Sequence, residues 1–459
     1  MFQPVAVPQW LLLLILGFAA ISFVTHFLFP SVRWFFRHRA ERALDRLNAR
    51  LDRKIDLFKL ARRSDMVARL AYDPKVIEAA MAHAAETGVP VAVAFEEARR
   101  YAREIVPGFS ATVYFGFGTH AAKWLSRRLF RVRVGKIDPA LHQIDPQATM
   151  VFVMNHRSNV DYLLVTWLVS ERSAIAYAVG EWARVWPLSG LIRSMGAYFI
   201  RRGGHNALYR KVLARYVQIA TAEGQTQAIF PEGGLSLDGR IAPPKLGLLS
   251  YILEGWSADQ RDVVFIPVGL AYDRVLEDRV LVEAAKSGTR RFRLRPLRVG
   301  YQALRFFWAR RRGKTSGFGT AAVAFGPPLS LRSFLSTAPQ DPVDSLGRQL
   351  MQSIAEAVPV LPVPLTAAAL AQNPASKTQL LQHIEELTQN LEASGAVLHL
   401  PQGGAKATLA EGLTQLQTRG LISDRLHPIP GKEALLAFYA ASIPQPAPPP
   451  HDNAATQRT

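Results

Sequence analysis

The chain has 459 residues, of which 49% are hydrophobic and 20% charged, so it supplies a large folded core and wholesale disorder is excluded. Lys and Arg number 55 against 36 Asp and Glu. The resulting net charge of +19 suits an anionic partner, namely nucleic acid, an anionic membrane or a phosphate-bearing substrate. The absence of cysteine excludes disulfides, thiolate zinc sites and a cysteine acyl-enzyme.

The first predicted element is the apolar run at residues 10–29, which contains no Asp, Glu, Lys or Arg. It is long enough for a membrane-spanning helix, which needs about 20 residues. Residues 30–63 are rich in Arg and have apolar residues at helical spacing, which predicts an interfacial helix; a core-packing helix with a solvated basic face is the alternative. The positive-inside rule places the rest of the chain in the cytoplasm, so we expect a single-pass protein of the cell (inner) membrane.

From about residue 147 the pattern changes from helical spacing to short apolar runs that alternate with helical stretches. This alternation predicts an α/β fold with a mainly parallel central sheet flanked by helices. The basic and aromatic segment 290–314 is predicted to contact a membrane or an acyl carrier, with nucleic acid as the alternative. The predicted parts are 1–63, transmembrane span and interfacial helix; 64–135, helical region; 136–335, α/β domain; 336–375, Pro/Ala-rich linker; 376–443, small helical C-terminal region; and 444–459, disordered tail.

The first chemical motif is NHRSNVD, residues 155–161, which directly follows the predicted strand 149–154. Open α/β sheets place their ligands at the carboxyl ends of strands. A turn here brings the Asp161 carboxylate to the Nδ1–H of His156, so that Nε2 faces a substrate hydroxyl. Ser158 or Asn159 is expected to cap the following helix. The alternative for such a motif by itself is a capping loop with an incidental histidine.

Two further motifs follow predicted strands. GAYFIRR ends in Arg201 and Arg202, whose guanidinium groups suit phosphate recognition, although a solvated strand end is the alternative. FPEGGLSLDGR contains Glu232 and Gly233, and glycines let the backbone approach a ligand closely. Arg240 and Lys245 add positive charge near this second loop.

The fourth motif, IPVGLAY, is an apolar strand that contains Pro267. The ordered set NHRSNVD, GAYFIRR, FPEGG and IPVGLAY resembles the four motifs of the glycerolipid acyltransferase family, over roughly residues 130–325. The forms HRSxxDY and FIRR resemble the glycerol-3-phosphate acyltransferases in particular, and residues 419–443 are similar to the C-terminal end of the bacterial enzymes.

The resemblance implies that His156 is a general base oriented by Asp161. It also implies that Arg201, Glu232 and Gly233 bind the acceptor and that Pro267 belongs to a motif linked to acyl-donor binding or catalysis. The residues assigned to substrate binding are Arg157, Ser158, Arg201, Arg202, Glu232, Gly233, Arg240 and Lys245. The expected reaction transfers a fatty acyl group from acyl-CoA or acyl carrier protein (acyl-ACP) to the sn-1 hydroxyl of glycerol 3-phosphate, in phospholipid synthesis. No further cofactor and no metal site are predicted.

One position departs from the family pattern. Glycerol-3-phosphate acyltransferases commonly carry arginine after the paired glycines, where this chain has Leu235. Lysophosphatidate or dihydroxyacetone phosphate therefore stays open as the acceptor. A non-enzymatic basic membrane or nucleic-acid-binding protein would account for the net charge but would leave the four motifs unexplained.

Overall fold

The computed structural model describes residues 8–10, 12, 14, 16, 17, 63–170, 174–180, 188–201, 206–288, 308 and 317–444. The predicted membrane span, interfacial helix, basic insertion and C-terminal tail fall, apart from scattered residues, outside this part of the chain. Arg202 also lies outside the described residues. Within them, no helix combines the length and the apolar character that a bilayer crossing requires.

The elements alternate as the sequence predicts, with helices before and after a sheet-forming region. The strands are β1 (Arg131–Ile137), β2 (Thr149–Met154), β3 (Ala176–Gly180), β4 (Tyr198–Ile200), β5 (Gln227–Ile229), β6 (Val263–Tyr272), β7 (Thr320–Phe325) and β8 (Leu329–Ser330). The helices are α1 (Arg63–Ala71), α2 (Pro74–Thr87), α3 (Val91–Ile105), α4 (Thr119–Leu129), α5 (Asp161–Val169), α6 (Leu188–Ser194), α7 (Ala207–Ala222), α8 (Gly247–Glu254), α9 (Asp278–Ser287), α10 (Leu331–Ser336), α11 (Pro342–Ala357), α12 (Pro362–Leu370), α13 (Lys377–Ala393), α14 (Gly404–Thr418) and α15 (Glu433–Ala440). A π-helix, Thr112–Gly118, precedes α4, and a short 3-10 helix, Pro139–His142, follows β1.

The strands form one sheet in the order β1-β7-β6-β2-β5-β3-β4, with β8 paired to β6. Strands β2 to β6 run parallel to one another. Strand β7 is antiparallel to β6, and β1 is parallel to β7. The mainly parallel sheet is therefore confirmed, with a reversed pair at one side. This topology puts the carboxyl ends of β6, β2 and β5 side by side.

Strand β2 lies in the middle of the sheet, and its side chains alternate between two hydrophobic cores. Met150, Phe152 and Met154 belong to a core that also contains residues of α5 and of the C-terminal helices. Val151 and Val153 belong to a second core that contains residues of α1–α3, α7, α8 and α11. Because both faces are covered, the strand is apolar throughout, as is usual for parallel sheets in α/β proteins.

The prediction of a linker at 336–375 is wrong. These residues include helices α11 and α12, each of which begins with a proline at its first helical position, where the missing N–H is not needed. All residues of α12 except Ala368 are buried. A helix that is apolar on all sides has to be enclosed by protein, and its small alanines let neighbouring helices approach closely. The Pro/Ala-rich composition therefore reflects a core helix.

Helices α13, α14 and α15 lie within the C-terminal region 376–443, which the sequence predicts to be helical. These helices share a hydrophobic core with the sheet. Gly412 of α14 packs so closely on α12 that a Cβ atom there would lie 2.0 Å from the Thr366 Oγ1. Similarly, a Cβ atom on Gly239 would lie 1.9 Å from the carbonyl oxygen of Phe438 in α15. The C-terminal region thus packs directly against the loop that contains the third motif.

Candidate active site

The candidate site lies where β2, β5 and β6 end. His156 follows β2, the FPEGG loop follows β5, and Tyr272 is the last residue of β6. Asn155 continues the pairing of β2 with β6 beyond the strand end: its side-chain Nδ2 donates to the Leu270 carbonyl at 2.9 Å, and its Oδ1 accepts from the Leu270 N–H at 2.8 Å. This two-point contact holds the start of the NHRSNVD turn in a fixed register with β6.

His156 and Asp161 form a buried pair. The Nδ1 atom of His156 lies 2.9 Å from Oδ2 of Asp161, and the two side chains are 2% and 0% exposed. Asp161 is the first residue of α5. Because the carboxylate accepts at Nδ1, that nitrogen carries the proton and Nε2 is the basic nitrogen of the ring. This is the orientation that general-base catalysis on a hydroxyl requires.

The Asp161 carboxylate is fixed by further donors besides the imidazole. Its Oδ2 accepts the backbone N–H groups of Arg157 at 2.7 Å and Ser158 at 3.0 Å. Its Oδ1 accepts the Tyr272 hydroxyl at 2.6 Å. The expectation that Ser158 or Asn159 caps α5 is wrong: the cap position is Val160, and the aspartate itself satisfies the N–H groups of the preceding turn.

Glu232 joins the third motif to the first. Its Oε1 accepts the His156 N–H at 2.7 Å, and its Oε2 accepts the Ala242 N–H at 3.0 Å. The carboxylate is 3% exposed. Burial raises the pKa of Glu232, while the Arg157 charge and the two backbone donors act in the opposite direction. Both carboxylate oxygens therefore hold the backbone of the site.

Arg157 also lies inside the site. Its side chain is buried, and its guanidinium donates to the carbonyl oxygen of Gly239. Burial lowers the pKa of Arg157, and the negative charges of Glu232, Asp161 and Asp238 partly offset this effect. Arg157 therefore connects the NHRSNVD turn to the loop that follows β5.

Gly233 and Lys245 are close neighbours at the surface of the site. Gly233 has a positive φ of 67°, and a Cβ atom there would lie 2.6 Å from Cδ of Lys245. The exposed Lys245 side chain therefore crosses the glycine backbone. Arg240 is exposed too, and its backbone carbonyl accepts the Ser236 hydroxyl at 2.7 Å. These two residues place positive charge on the outer side of the FPEGG loop.

Arg201 is held elsewhere. It follows β4, which is three strands away from β2 in the sheet order. Its guanidinium contacts both carboxylate oxygens of Glu104 in α3, at 2.8 and 2.6 Å. Those hydrogen bonds raise the pKa of Arg201. The structure thus pairs Arg201 with the N-terminal helices and shows no contact between it and the His156–Asp161 pair.

Pro267 lies within the sheet, opposite Val153 of β2. Strand β6 pairs with β8 before this proline, at Val264 and Phe265, and with β7 after it, from Val268. The proline stands where β6 changes partners, so its missing N–H interrupts no regular ladder.

The sequence interpretation missed Tyr272 and Glu277. Glu277 accepts the Ser158 hydroxyl at 2.7 Å and the Asn159 side-chain amide at 3.0 Å. Burial is the main reason that the pKa of Glu277 is raised. Tyr272 is the last residue of the predicted strand IPVGLAY and Glu277 follows that strand, at the same sheet edge as His156. That placement was the signal that could have identified them.

An aromatic and apolar surface adjoins the imidazole. The Phe230 ring lies 4.1 Å from the His156 ring, centroid to centroid, and Tyr162 contacts both rings. Phe230 and Tyr162 also line a narrow apolar cavity. Its other lining residues are Met154, Val165, Thr166, Ile175, Tyr177 and Ala228.

The fold and the site define an α/β protein with a buried histidine–aspartate pair at the carboxyl edge of its sheet. Comparisons with known proteins indicate which family the chain resembles. The family model "Acyltransferase" matches residues 137–271, and the model "Glycerol-3-phosphate acyltransferase C-terminal region" matches residues 303–440. The resemblance to glycerol-3-phosphate acyltransferases that the four motifs indicate is therefore confirmed.

Curated relatives carry the name glycerol-3-phosphate acyltransferase. The protein of Pseudomonas putida strain W619 is 28% identical over 375 residues, which is 77% of this chain and 44% of the relative. That of Pseudoalteromonas atlantica is 32% identical over 196 residues, 42% of this chain and 23% of the relative. The chain thus spans less than half the length of the curated relatives it matches. The solved 1-acyl-sn-glycerophosphate acyltransferase of Thermotoga maritima covers 56% of this chain and 82% of its own, with 17% identity and a TM-score of 0.30.

Proposed function

We propose that this chain transfers a fatty acyl group from an acyl-CoA or acyl-ACP thioester to the sn-1 hydroxyl of glycerol 3-phosphate. The observation that carries the proposal is the contact of 2.9 Å between His156 Nδ1 and Asp161 Oδ2 at the carboxyl edge of the sheet. The matched family models and the names of the curated relatives support the same reaction.

In the proposed mechanism, Nε2 of His156 removes the proton of the acceptor hydroxyl while the hydroxyl oxygen forms a bond to the carbonyl carbon of the thioester. The C–S bond of the resulting tetrahedral intermediate breaks, and the thiolate takes the proton back from the imidazolium. Asp161 stabilises the imidazolium between these steps. A positioned general base contributes about 10²–10⁴-fold, so orientation of the two substrates has to supply much of the remaining acceleration.

Five of the other predicted residues take two kinds of role in this proposal. Lys245 and Arg240 bind the phosphate of the acceptor, because they are the exposed cations beside the FPEGG loop. Arg157, Ser158 and Glu232 hold the turn on which His156 stands. The long apolar run at residues 10–29 and the net charge of +19 support a position at a membrane, where a fatty product is released.

Lysophosphatidate is the second candidate acceptor. Leu235 and Leu237 pack against the hydrophobic core beside the FPEGG loop. Leu235 occupies the position where glycerol-3-phosphate acyltransferases commonly carry arginine. An apolar side chain there favours an acceptor that already carries an acyl chain.

The test is release of free thiol from palmitoyl-CoA by the purified, detergent-solubilised protein. Since the chain has no cysteine, a thiol reagent reports only the CoA that is set free. We expect release that requires glycerol 3-phosphate and is lost in His156→Ala, while His120→Ala, at an exposed histidine of α4, behaves as wild type. Release with lysophosphatidate alone would select the second acceptor. Turnover at the wild-type rate in His156→Ala would contradict the mechanism.

A further inference from the structure

The loop between β6 and α9 contacts both the His156–Asp161 pair and the C-terminal region. We call residues 272–278, from Tyr272 to Asp278, the 272–278 segment. At its start, the Tyr272 hydroxyl donates to Asp161 Oδ1 at 2.6 Å. Near its end, Glu277 accepts from the hydroxyl of Ser158 and from both the backbone and side-chain N–H of Asn159. The segment therefore contacts the NHRSNVD turn at two separated points.

The C-terminal helix α15 holds the same segment from the other side. The Tyr439 hydroxyl accepts the Val275 N–H at 3.1 Å and donates to Asp278 Oδ2 at 2.6 Å. Arg419 pairs with the same carboxylate, and its guanidinium lies 4.9 Å from the centre of the Tyr439 ring. Tyr439 is 1% exposed, so these hydrogen bonds are shielded from water. Loss of a hydrogen-bond partner in such an environment lowers the stability of the folded state, because the remaining polar groups cannot be solvated.

We propose that Tyr272 is a positioning residue for the His156–Asp161 pair and that Tyr439 of the C-terminal region holds it in place through the 272–278 segment. This inference rests on the proposed function. It gives the C-terminal helical region a role in holding the site of the α/β domain. Tyr272 and Tyr439 line one small cavity together with Arg157, Val275 and Phe438, so the two tyrosines are close neighbours across the same space.

Tyr272 is suited to this role because it is a neutral donor. Burial, followed by the nearby Asp161 charge, raises the pKa of the Tyr272 hydroxyl well above its ordinary value. The charged or titratable groups around Asp161 are His156, Arg157, Tyr272 and Glu277. Of these, Tyr272 donates to Oδ1, the carboxylate oxygen that does not contact the imidazole. It therefore fixes the rotation of the carboxylate and disperses its charge away from His156.

The test compares Tyr272→Phe, Tyr439→Phe and Tyr216→Phe. Each variant removes one hydroxyl from a buried tyrosine and leaves the ring. Tyr216 is the matched control, because its hydroxyl has no hydrogen-bond partner among the described residues. We expect Tyr272→Phe to lower kcat by about tenfold, which is typical for loss of a hydrogen bond to a charged group. The KM for both substrates should change less than twofold.

The pH dependence of kcat/KM distinguishes a positioning role of Tyr272 from a general effect of the substitution on protein stability. Without the Tyr272 hydroxyl, more negative charge of Asp161 acts on the imidazole and favours its protonated form. The acidic limb of kcat/KM should therefore move to higher pH in Tyr272→Phe and, by a smaller amount, in Tyr439→Phe, with no movement in Tyr216→Phe. A Tyr272→Phe enzyme with the wild-type kcat and profile would overturn the inference, as would equal losses in all three variants that follow their melting temperatures.

A second measurement keeps the inference distinct from the proposed function. In protein labelled with ¹⁵N-histidine, the His156 resonances are assigned by their loss in His156→Gln and followed through a pH titration without substrate. If the titration midpoint rises in Tyr272→Phe while no thioester turnover is found, the positioning role stands and the proposed function fails. If turnover depends on His156 but the midpoint does not move, the proposed function stands and the inference fails.

Discussion

The Glu232 carboxylate accepts the backbone N–H of His156 at 2.7 Å, so a residue of the third motif holds the main chain of the first. The two residues belong to neighbouring strand ends, β5 and β2, and are 76 positions apart in the chain. A side chain that the family resemblance assigns to acceptor binding thus has a structural task as well. Its second oxygen is engaged by Ala242.

Glu232→Gln tests this structural task. The amide NH₂ of glutamine would face either the His156 N–H or the Ala242 N–H, so one buried donor would lose its acceptor. We expect the free energy of unfolding to fall by about 1–3 kcal/mol, with a lower kcat because the His156 backbone is no longer fixed. Chemical denaturation and thioester turnover measure the two effects. Unchanged stability would show that the site relaxes around the substitution.

Gly233→Ala, compared with a control glycine, distinguishes the effect of backbone strain from the effect of displacing the Lys245 side chain. The added Cβ would meet the Lys245 side chain at 2.6 Å, and the positive φ disfavours alanine by about 1–2 kcal/mol. Gly88→Ala is the matched control, since Gly88 has a φ of 71° and nothing within 4 Å of the added atom. Both variants should lose similar stability, but only Gly233→Ala should raise the KM for the phosphate-bearing acceptor. An equal acceptor KM in both variants would contradict a role of Lys245 in phosphate binding.

Substitutions in the Arg201–Glu104 pair test whether Arg201 has a structural role or binds the phosphate of the acceptor. The pair is partly buried, with side-chain exposures of 33% and 13%. A double-mutant cycle with Arg201→Gln and Glu104→Gln should give a coupling energy of about 1 kcal/mol in denaturation experiments. The acceptor KM should stay near the wild-type value in each variant. A KM that rises more than tenfold in Arg201→Gln alone would instead support the phosphate-binding role.

The raised pKa of Glu277 predicts that the stability of the protein depends on pH. Burial raises its pKa in the folded state, so between the unfolded value of about 4.3 and the raised value the folded protein binds more protons than the unfolded one. Its contribution to stability is therefore complete below the unfolded pKa and is lost as the pH rises through the folded pKa. Glu277→Gln keeps an acceptor oxygen for Asn159 and removes the titration. We expect the variant to gain stability relative to wild type from about pH 4 upwards, as measured by denaturation at several pH values. A constant difference across that range would contradict the prediction.

The sequence by itself predicted the parts of the molecule that depend on short-range pattern. Apolar runs bounded by polar loops predicted β2, β6 and the helices between them, and the order of the four motifs indicated the acyltransferase resemblance. The approach of Asp161 to His156 was predictable too, because a strand, a tight turn and the first turn of a helix leave few ways to place residues five positions apart.

Only the tertiary structure decided which distant residues complete the site. Tyr272 reaches Asp161 from 111 positions away because β6 is the neighbour of β2, and strand order is not encoded in the local pattern of either strand. Packing of α3 against the end of β4 gives Arg201 a carboxylate partner, Glu104, that its own motif does not reveal. In the same way, the Pro/Ala-rich α12 is a core helix rather than a linker, because burial depends on the surfaces that surround a segment as much as on its own composition.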